Sequence, residues 1–157
     1  MRLVVRLVVP RYILVATAII ALGCDAGYRF RPVNWIDQPE RQWSRDFDGF
    51  SLRTHYLGGF VGEWWLAPTF EVLGNSERIS LTAAALQTDR GRYPGVIDSR
   101  TASVASGGGR LGVRWDFGRG NPAPEVLGER AEIILDLVVG SRPQTVRIEY
   151  KRASCCL

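Results

Sequence analysis

The last third of this 157-residue chain alternates apolar and polar side chains, and this period of two constrains its fold more than any other feature. Two such runs flank the turn-forming segment 140–144. Their apolar faces consist of Ala131, Ile133, Leu135, Leu137 and Val139 in the first run, and of Val146, Ile148 and Tyr150 in the second. A period of two is typical of half-buried strands, because successive side chains point to opposite sides of the backbone. The pattern therefore predicts a β-hairpin with one face in the core.

Shorter runs of the same kind, separated by glycine, proline and asparagine, predict further strands from residue 50 onwards. These strands are expected over 50–57, 64–73 with an interruption at Pro68, 79–86, 101–105 and 111–117. In the run 79–86, the alternation places Ile79, Leu81, Ala83 and Ala85 on one side. Segments 92–98 and 118–128 are expected to be loops, and a short helix over 39–45 is an option. About seven short strands with turns between them predict one all-β antiparallel sandwich over 50–152.

The order of these segments over 64–152 resembles that of small bacterial immunoglobulin-like modules. A strand leads to the turn at Asn75-Ser76, a second strand ends near 88–91, and a glycine-rich turn precedes the final hairpin. The resemblance implies an immunoglobulin-like arrangement of the predicted strands. Residues 24–49 are expected to be an irregular, aromatic-rich lead-in, and 153–157 a flexible tail that includes Cys155 and Cys156.

The first 24 residues have the organisation of a secretory signal. Arg2, Arg6 and Arg11 precede an apolar run over 12–23, which is too short to cross a hydrocarbon core of about 30 Å as a helix. The final residues, Ala21-Leu22-Gly23-Cys24, resemble the lipobox of bacterial lipoprotein signal peptides. The resemblance implies removal of 1–23 and a diacylglyceryl group on the sulfur of Cys24. The protein would then be lipid-anchored in the bacterial cell envelope, facing the periplasm or the exterior.

The sequence leaves two alternatives to the lipid anchor: ordinary secretion after cleavage, and an uncleaved membrane helix over 3–23. The membrane helix is disfavoured because Arg6 and Arg11 would lie in or beside the hydrocarbon core of the bilayer. Each arginine would cost about 2.5–3.5 kcal/mol if it lay at the centre of the span. Pro10 would also interrupt the hydrogen bonds of such a helix. Without 1–23, the chain has 17 basic and 16 acidic residues, so its charge does not favour a nucleic-acid partner.

The sequence contains no set of residues that predicts catalysis, a metal site or a cofactor. His55 is the single histidine, is expected to face solvent, and has no cysteine or carboxylate nearby at a useful spacing. The serine motif Gly-x-Ser-x-Gly of many hydrolases is absent. The glycines at 107–109 are interpreted as a turn, because phosphate-binding loops lead into a helix and here a strand is expected. We therefore expect a protein that is not an enzyme.

Aromatic residues are concentrated in one part of the chain. Eleven of the 15 aromatic residues after Cys24 lie between Tyr28 and Phe70. They can belong to the core, or they can form a recognition surface, for which the candidates are Trp35, Trp43, Trp64 and Trp65. The predicted function is a binding or assembly module for an envelope protein. The alternative is a module that binds polysaccharide or peptidoglycan through these aromatic side chains.

Overall fold

Nearly all of the described chain consists of β-strands. The computed structural model describes residues 27–33, 43–55, 57–60 and 62–153. Within them, the elements in chain order are β1 (Gly27–Pro32), β2 (Trp43–Phe47), β3 (Phe50–Thr54), β4 (Leu57–Phe60), β5 (Trp65–Leu66), β6 (Thr69–Leu73), β7 (Ile79–Thr88), β8 (Gly91–Pro94), β9 (Val96–Ile97), β10 (Ser103–Val104), β11 (Gly108–Asp116), α1 (Ala123–Leu127), β12 (Arg130–Val139) and β13 (Arg142–Arg152). No helix among these residues has the length and apolar content needed to span a bilayer.

These strands form two antiparallel sheets that share one core. The first sheet has seven strands in the order β10-β7-β12-β13-β1-β4, and β8 pairs with β7 beside β10. The second sheet has six strands in the order β2-β3-β6-β11-β5, and β9 also pairs with β11. Buried apolar side chains from both sheets form a single cluster between them. The all-β sandwich predicted from the alternating pattern is therefore confirmed.

The C-terminal hairpin has the register that the alternation requires. Ile133 lies opposite Ile148, Leu135 lies opposite Val146, and all four side chains are buried. The turn is tighter than expected, because Val139 already pairs with Arg142 and leaves two residues between the strands. Gly140 has a φ of +59°, in the left-handed region that glycine adopts without steric cost.

A β-bulge in β7 makes one sequence expectation wrong. Ala83 pairs with Asp136, whereas Leu81 pairs with Leu137, so Thr82 is an extra residue on β7. The Thr82 hydroxyl donates a hydrogen bond of 2.9 Å to the Asp136 carbonyl. After the bulge, the core-facing positions shift by one residue. Ala84 therefore faces the core, Ala83 is exposed, and Ala83 and Ala85 do not share a side with Ile79 and Leu81.

The segment expected to be an irregular lead-in contributes two strands to the sandwich. In β1, Tyr28 and Phe30 are buried, while the intervening Arg29 is exposed. In β2, Trp43 is the first strand residue, so the suggested helix over 39–45 is wrong from Trp43 onwards. The aromatic residues of β1 alternate over too few positions to stand out in the sequence. They were therefore missed as a strand.

Two predicted boundaries are corrected where the chain crosses between the sheets. The predicted strand 50–57 is two strands, because β3 belongs to the second sheet and β4 to the first. Segment 92–98, expected to be a loop, contains parts of β8 and all of β9, which also belong to different sheets. Gly95 lies at this second crossing and donates a hydrogen bond of 2.8 Å to the Ala84 carbonyl. The sequence predicted about seven strands, whereas the described chain has 13. The two lead-in strands and the strands added at these crossings account for most of the difference.

Candidate binding surface

The outward face of the second sheet carries an open groove of about 460 Å³. The groove follows β11, with residues 67–69 on one side and β9 and the loop 98–101 on the other. Its lining is mostly apolar and includes Pro68, Thr69, Val96, Thr101, Gly112 and Arg114.

The strand register decides which side chains reach this face. Leu66 pairs with Trp115, and both are buried in the core, so the preceding pair on β5 and β11, Trp65 and Asp116, points outward. Two residues before Asp116 on β11, Arg114 pairs with Val96 of β9. The Trp64 carbonyl extends the ladder by accepting a hydrogen bond of 2.7 Å from the Phe117 amide. Trp65 is therefore held by the sheet itself and not by a loop.

Two exposed apolar side chains lie in this region: Val96 lines the groove, and Trp65 lies beside it. Trp65 is 37% exposed and Val96 is 67% exposed, which makes them the exposed large apolar residues of the described chain. The Arg114 guanidinium lies 5.5 Å from the centre of the Trp65 ring and 3.8 Å from a carboxylate oxygen of Asp116. The Arg114 side chain therefore connects Trp65 to the groove.

The floor of the groove is formed where the backbone of β11 approaches the loop 98–101. A Cβ atom at Gly112 would lie only 2.5 Å from the Thr101 hydroxyl, so this position accepts no larger residue without movement. The Asp98 amide donates to the Gly112 carbonyl at 3.3 Å, and the Gly112 amide donates to the Thr101 carbonyl at 3.4 Å. Asp98 also accepts a hydrogen bond of 3.0 Å from the Arg100 amide. These bonds hold the floor in one shape.

Charged side chains border the groove on the β11 side. Arg110 forms an ion pair with Glu71 at 3.1 Å, and both residues point outward from the second sheet. Together with Arg114, this arrangement places two guanidinium groups beside an apolar floor. Such a surface can bury an apolar segment of a ligand and can bind acidic groups at its rim.

The structure separates the four candidate tryptophans. Trp65 is exposed beside the groove, and Trp64 is half-buried with the Arg119 guanidinium 5.7 Å from its ring centre. Trp43 is only 7% exposed and belongs to the core cluster, so its assignment to a recognition surface is wrong. Trp35 lies outside the described residues, as does the predicted lipidation site Cys24.

Sequence reasoning missed Val96, Gly112 and Arg114 as parts of this surface. Val96 was assigned to a loop, and Arg114 was seen only as the polar partner in an alternating strand. The alternation does predict that Gly112 and Arg114 share the outward face of β11. It contains no information that β9 lies beside them.

The acidic, histidine and tyrosine side chains of the described chain can also be compared with the sequence expectations. Among the described residues, no three histidine, cysteine, aspartate or glutamate side chains are grouped so that they could bind a metal ion. Burial, with a smaller effect from Glu63, raises the pKa of Tyr28 to about 12. Burial also raises the pKa of Tyr150, against the opposing effect of its hydrogen bond with Thr54. Both tyrosines belong to the core, and His55 is exposed, as expected from the sequence.

The described chain is thus an all-β sandwich of two antiparallel sheets, with a mostly apolar groove on the outward face of one sheet and Trp65 exposed beside it. Comparisons with protein families, with curated proteins and with solved structures found no match to this chain.

Proposed function

We propose that this protein is a non-enzymatic binding module of the bacterial cell envelope that holds a partner protein in the groove beside Trp65. The observation that carries the proposal is that two exposed apolar side chains, Trp65 and Val96, both neighbour Arg114 on the outward face of the second sheet. Exposing two large apolar side chains to water is unfavourable, and a partner that covers them removes this cost. The resemblance to immunoglobulin-like modules stays a prediction and carries no part of this proposal.

The composition of the groove favours a protein as the partner. Tryptophan and arginine are enriched among the residues that dominate protein–protein binding energies. Such residues lie near the centre of an interface, with a polar rim around them. Trp65 and Arg114 would form this centre, and the Arg110–Glu71 ion pair would belong to the rim. Because β5 and β11 hold both central side chains in a sheet, binding would cost little conformational entropy.

A carbohydrate ligand is the second candidate, because sugar rings stack on exposed indole rings. The geometry favours it less, since the Arg114 guanidinium already lies 5.5 Å from the centre of the Trp65 ring. A sugar would have to displace Arg114 or use the opposite face of the indole. Soluble glycans therefore serve as the alternative ligand in the binding experiment.

The membrane part of the proposal rests on the lipobox-like segment that ends at Cys24. Two acyl chains would anchor the protein stably, because each buried methylene contributes about 0.8 kcal/mol. An intact mass of the protein from membranes of its bacterial host tests this part. The expected chain begins at Cys24 and carries acyl groups, and both features disappear in Cys24→Ala. An unmodified chain that begins elsewhere would overturn the proposed lipid anchor, but it would not affect the proposed use of the groove.

The groove is tested by site-specific photo-cross-linking in the bacterial envelope. A photoreactive residue at Val96 should give one defined cross-linked protein, and a probe at Thr145, exposed on the first sheet, should not give it. The captured protein is then purified and titrated against the module. Trp65→Ala should weaken this binding about 30-fold, as expected for the loss of a central anchor of about 2 kcal/mol.

Thr145→Ala is the matched control and should bind like the unmodified chain. Equal affinities for the Trp65→Ala and Thr145→Ala variants would overturn the protein-binding proposal. Glycan binding that quenches Trp65 fluorescence, with no purified protein bound, would replace it with the carbohydrate function.

A further inference from the structure

Three cations lie side by side across three neighbouring strands of the first sheet. Arg31 of β1 pairs in register with Lys151 of β13, and Lys151 pairs on its other side with Arg130 of β12. All three point outward, because the neighbouring positions Pro32, Tyr150 and Ala131 are buried. We refer to Arg31, Lys151 and Arg130 as the cation row.

The cation row is electrostatically unfavourable in the isolated protein. Like charges directly opposite each other on paired strands destabilise a sheet. Within the described part of the chain, no ion pair includes any of the three, although nearby cations are paired. Arg147 binds Glu132 at 2.9 Å, and Arg152 binds Glu129 at 3.4 Å.

The surroundings of the cation row keep an excess of positive charge. Arg130 and Lys151 line an open groove of about 630 Å³, and the carboxylates in that lining are Asp89, Glu132 and Glu149. Glu132 is already bound to Arg147. Two more exposed cations stand close by, in the turn after β7 and on the outward face of β8: Arg90 and Arg92. The cation row together with Arg90 and Arg92 gives five cations in this region. The carboxylates there that form no ion pair within the described residues are only Asp89 and Glu149.

We propose that the cation row docks on an anionic phospholipid bilayer and so sets the orientation of the sandwich at the membrane. An anionic surface neutralises adjacent cations together, and each lysine or arginine close to it contributes to binding. The location of the row fits the proposed lipid anchor. Cys24 precedes Arg31 of the row by seven residues, which span at most roughly 25 Å when extended. The placement beside the membrane rests on the proposed function, whereas the cation row itself does not.

This orientation agrees with the use of the groove at Trp65. The cation row is on the outward face of the first sheet, and Trp65 is on the outward face of the second. In a sandwich these two faces are on opposite sides of the core. Docking through the cation row therefore leaves the groove turned away from the bilayer and open to a partner.

The test uses the chain 24–157 with Cys24→Ser, so that no lipid contributes to binding. Every described element begins at Gly27 or later, and this chain keeps all described contacts. It is sedimented with vesicles of equal parts phosphatidylglycerol and phosphatidylcholine, and with vesicles of phosphatidylcholine alone. We expect binding to the anionic vesicles only, weakened by added salt because the contact is electrostatic.

The triple variant Arg31→Gln, Arg130→Gln, Lys151→Gln should bind the anionic vesicles about a hundredfold more weakly, at about fivefold per cation. A control variant, Arg45→Gln, Arg78→Gln, Arg100→Gln, removes the same charge from exposed positions outside the first sheet and should keep its binding. Equal losses in the two variants, or equal binding to both kinds of vesicle, would overturn the proposal. A stronger effect of inorganic phosphate than of chloride at matched ionic strength would also overturn it, in favour of a small-anion site.

Lys151→Glu separates docking from a structural role. This change places a carboxylate between Arg31 and Arg130, so the unfolding midpoint should not fall. Vesicle binding should nevertheless weaken about thirtyfold, because two units of charge are removed. A lower midpoint with unchanged vesicle binding would show that the row serves the fold and not the membrane. Since the lipid is absent from these experiments, their failure is distinct from failure of the anchor or of the groove.

Discussion

Replacing Gly95 by alanine tests whether the crossing between the two sheets depends on the absence of a side chain. Gly95 has no unusual φ, so alanine is compatible with its backbone conformation. A Cβ atom at this position would however lie 2.5 Å from Val113 Cγ2, 3.1 Å from Ala84 Cβ and 3.1 Å from Trp115 Cε2. All three neighbours are buried in the core and have little room to move.

The expected loss of stability follows from two opposing effects. Overpacking a core by one methyl group costs about 1–3 kcal/mol. Alanine also restricts the unfolded chain, which returns about 0.4–1 kcal/mol. The free energy of unfolding should therefore fall by about 1–2 kcal/mol, and the midpoint of thermal unfolding by roughly 3–8 °C. Because Val96 follows Gly95 directly, the same change should displace one side of the groove and weaken partner binding.

A double-mutant cycle with Val113→Ala checks the assigned contact. Val113→Ala alone removes two methyl groups from the core and should cost roughly 1.6 kcal/mol or more. Combined with Gly95→Ala, it removes the closest clash, so the double variant should be about 1 kcal/mol more stable than additivity predicts. Val72→Ala, at a fully buried site away from Gly95, should be additive with Gly95→Ala. Additive behaviour of the Val113 pair, or unchanged stability of Gly95→Ala, would refute the reasoning.

Four further predictions concern buried polar groups and are checked by chemical or thermal unfolding. The Tyr28 hydroxyl is buried without a hydrogen-bond partner in the described chain, so Tyr28→Phe should leave stability unchanged or raise it by about 1 kcal/mol. Tyr150→Phe should instead lower it by about 1 kcal/mol, because Thr54 loses its 3.3 Å hydrogen bond. The pKa of Tyr28 is raised to about 12, so stability that is complete below the unfolded pKa of about 10 should decline between pH 10 and 12. Tyr28→Phe should reduce this decline, and an unchanged slope would contradict the assignment. Asn75→Ala should cost about 2–3 kcal/mol, since the buried Asn75 amide donates hydrogen bonds of 2.9 and 2.7 Å to the Glu77 and Ala105 carbonyls.

Much of the fold was predictable because strand alternation is a local property. The faces of β12 and β13 follow directly from the order of apolar and polar residues, and so does the outward position of Arg114 on β11. The interruption at Pro68 was also predictable, since proline has no amide hydrogen to donate to a strand ladder. The structure splits the predicted strand there into β5 and β6, which both pair with β11.

The errors have a common physical cause. Ala83 was placed on the wrong side because a bulge depends on the partner strand, and the partner is distant in sequence. Trp43 was a surface candidate because a tryptophan is compatible with a core and with an interface alike. Only packing against the rest of the sandwich decides between the two, and it buries Trp43.

By itself, the sequence determined the all-β class, the two faces of β11, β12 and β13, and the resemblance of 21–24 to a lipobox. Each of these depends on neighbouring residues along the chain. Only the tertiary structure decided that Val96 lies beside Arg114 and that Lys151 lies between Arg31 and Arg130. These neighbours come from separate strands, and their proximity follows from strand order and register, which are set by burial of the shared core.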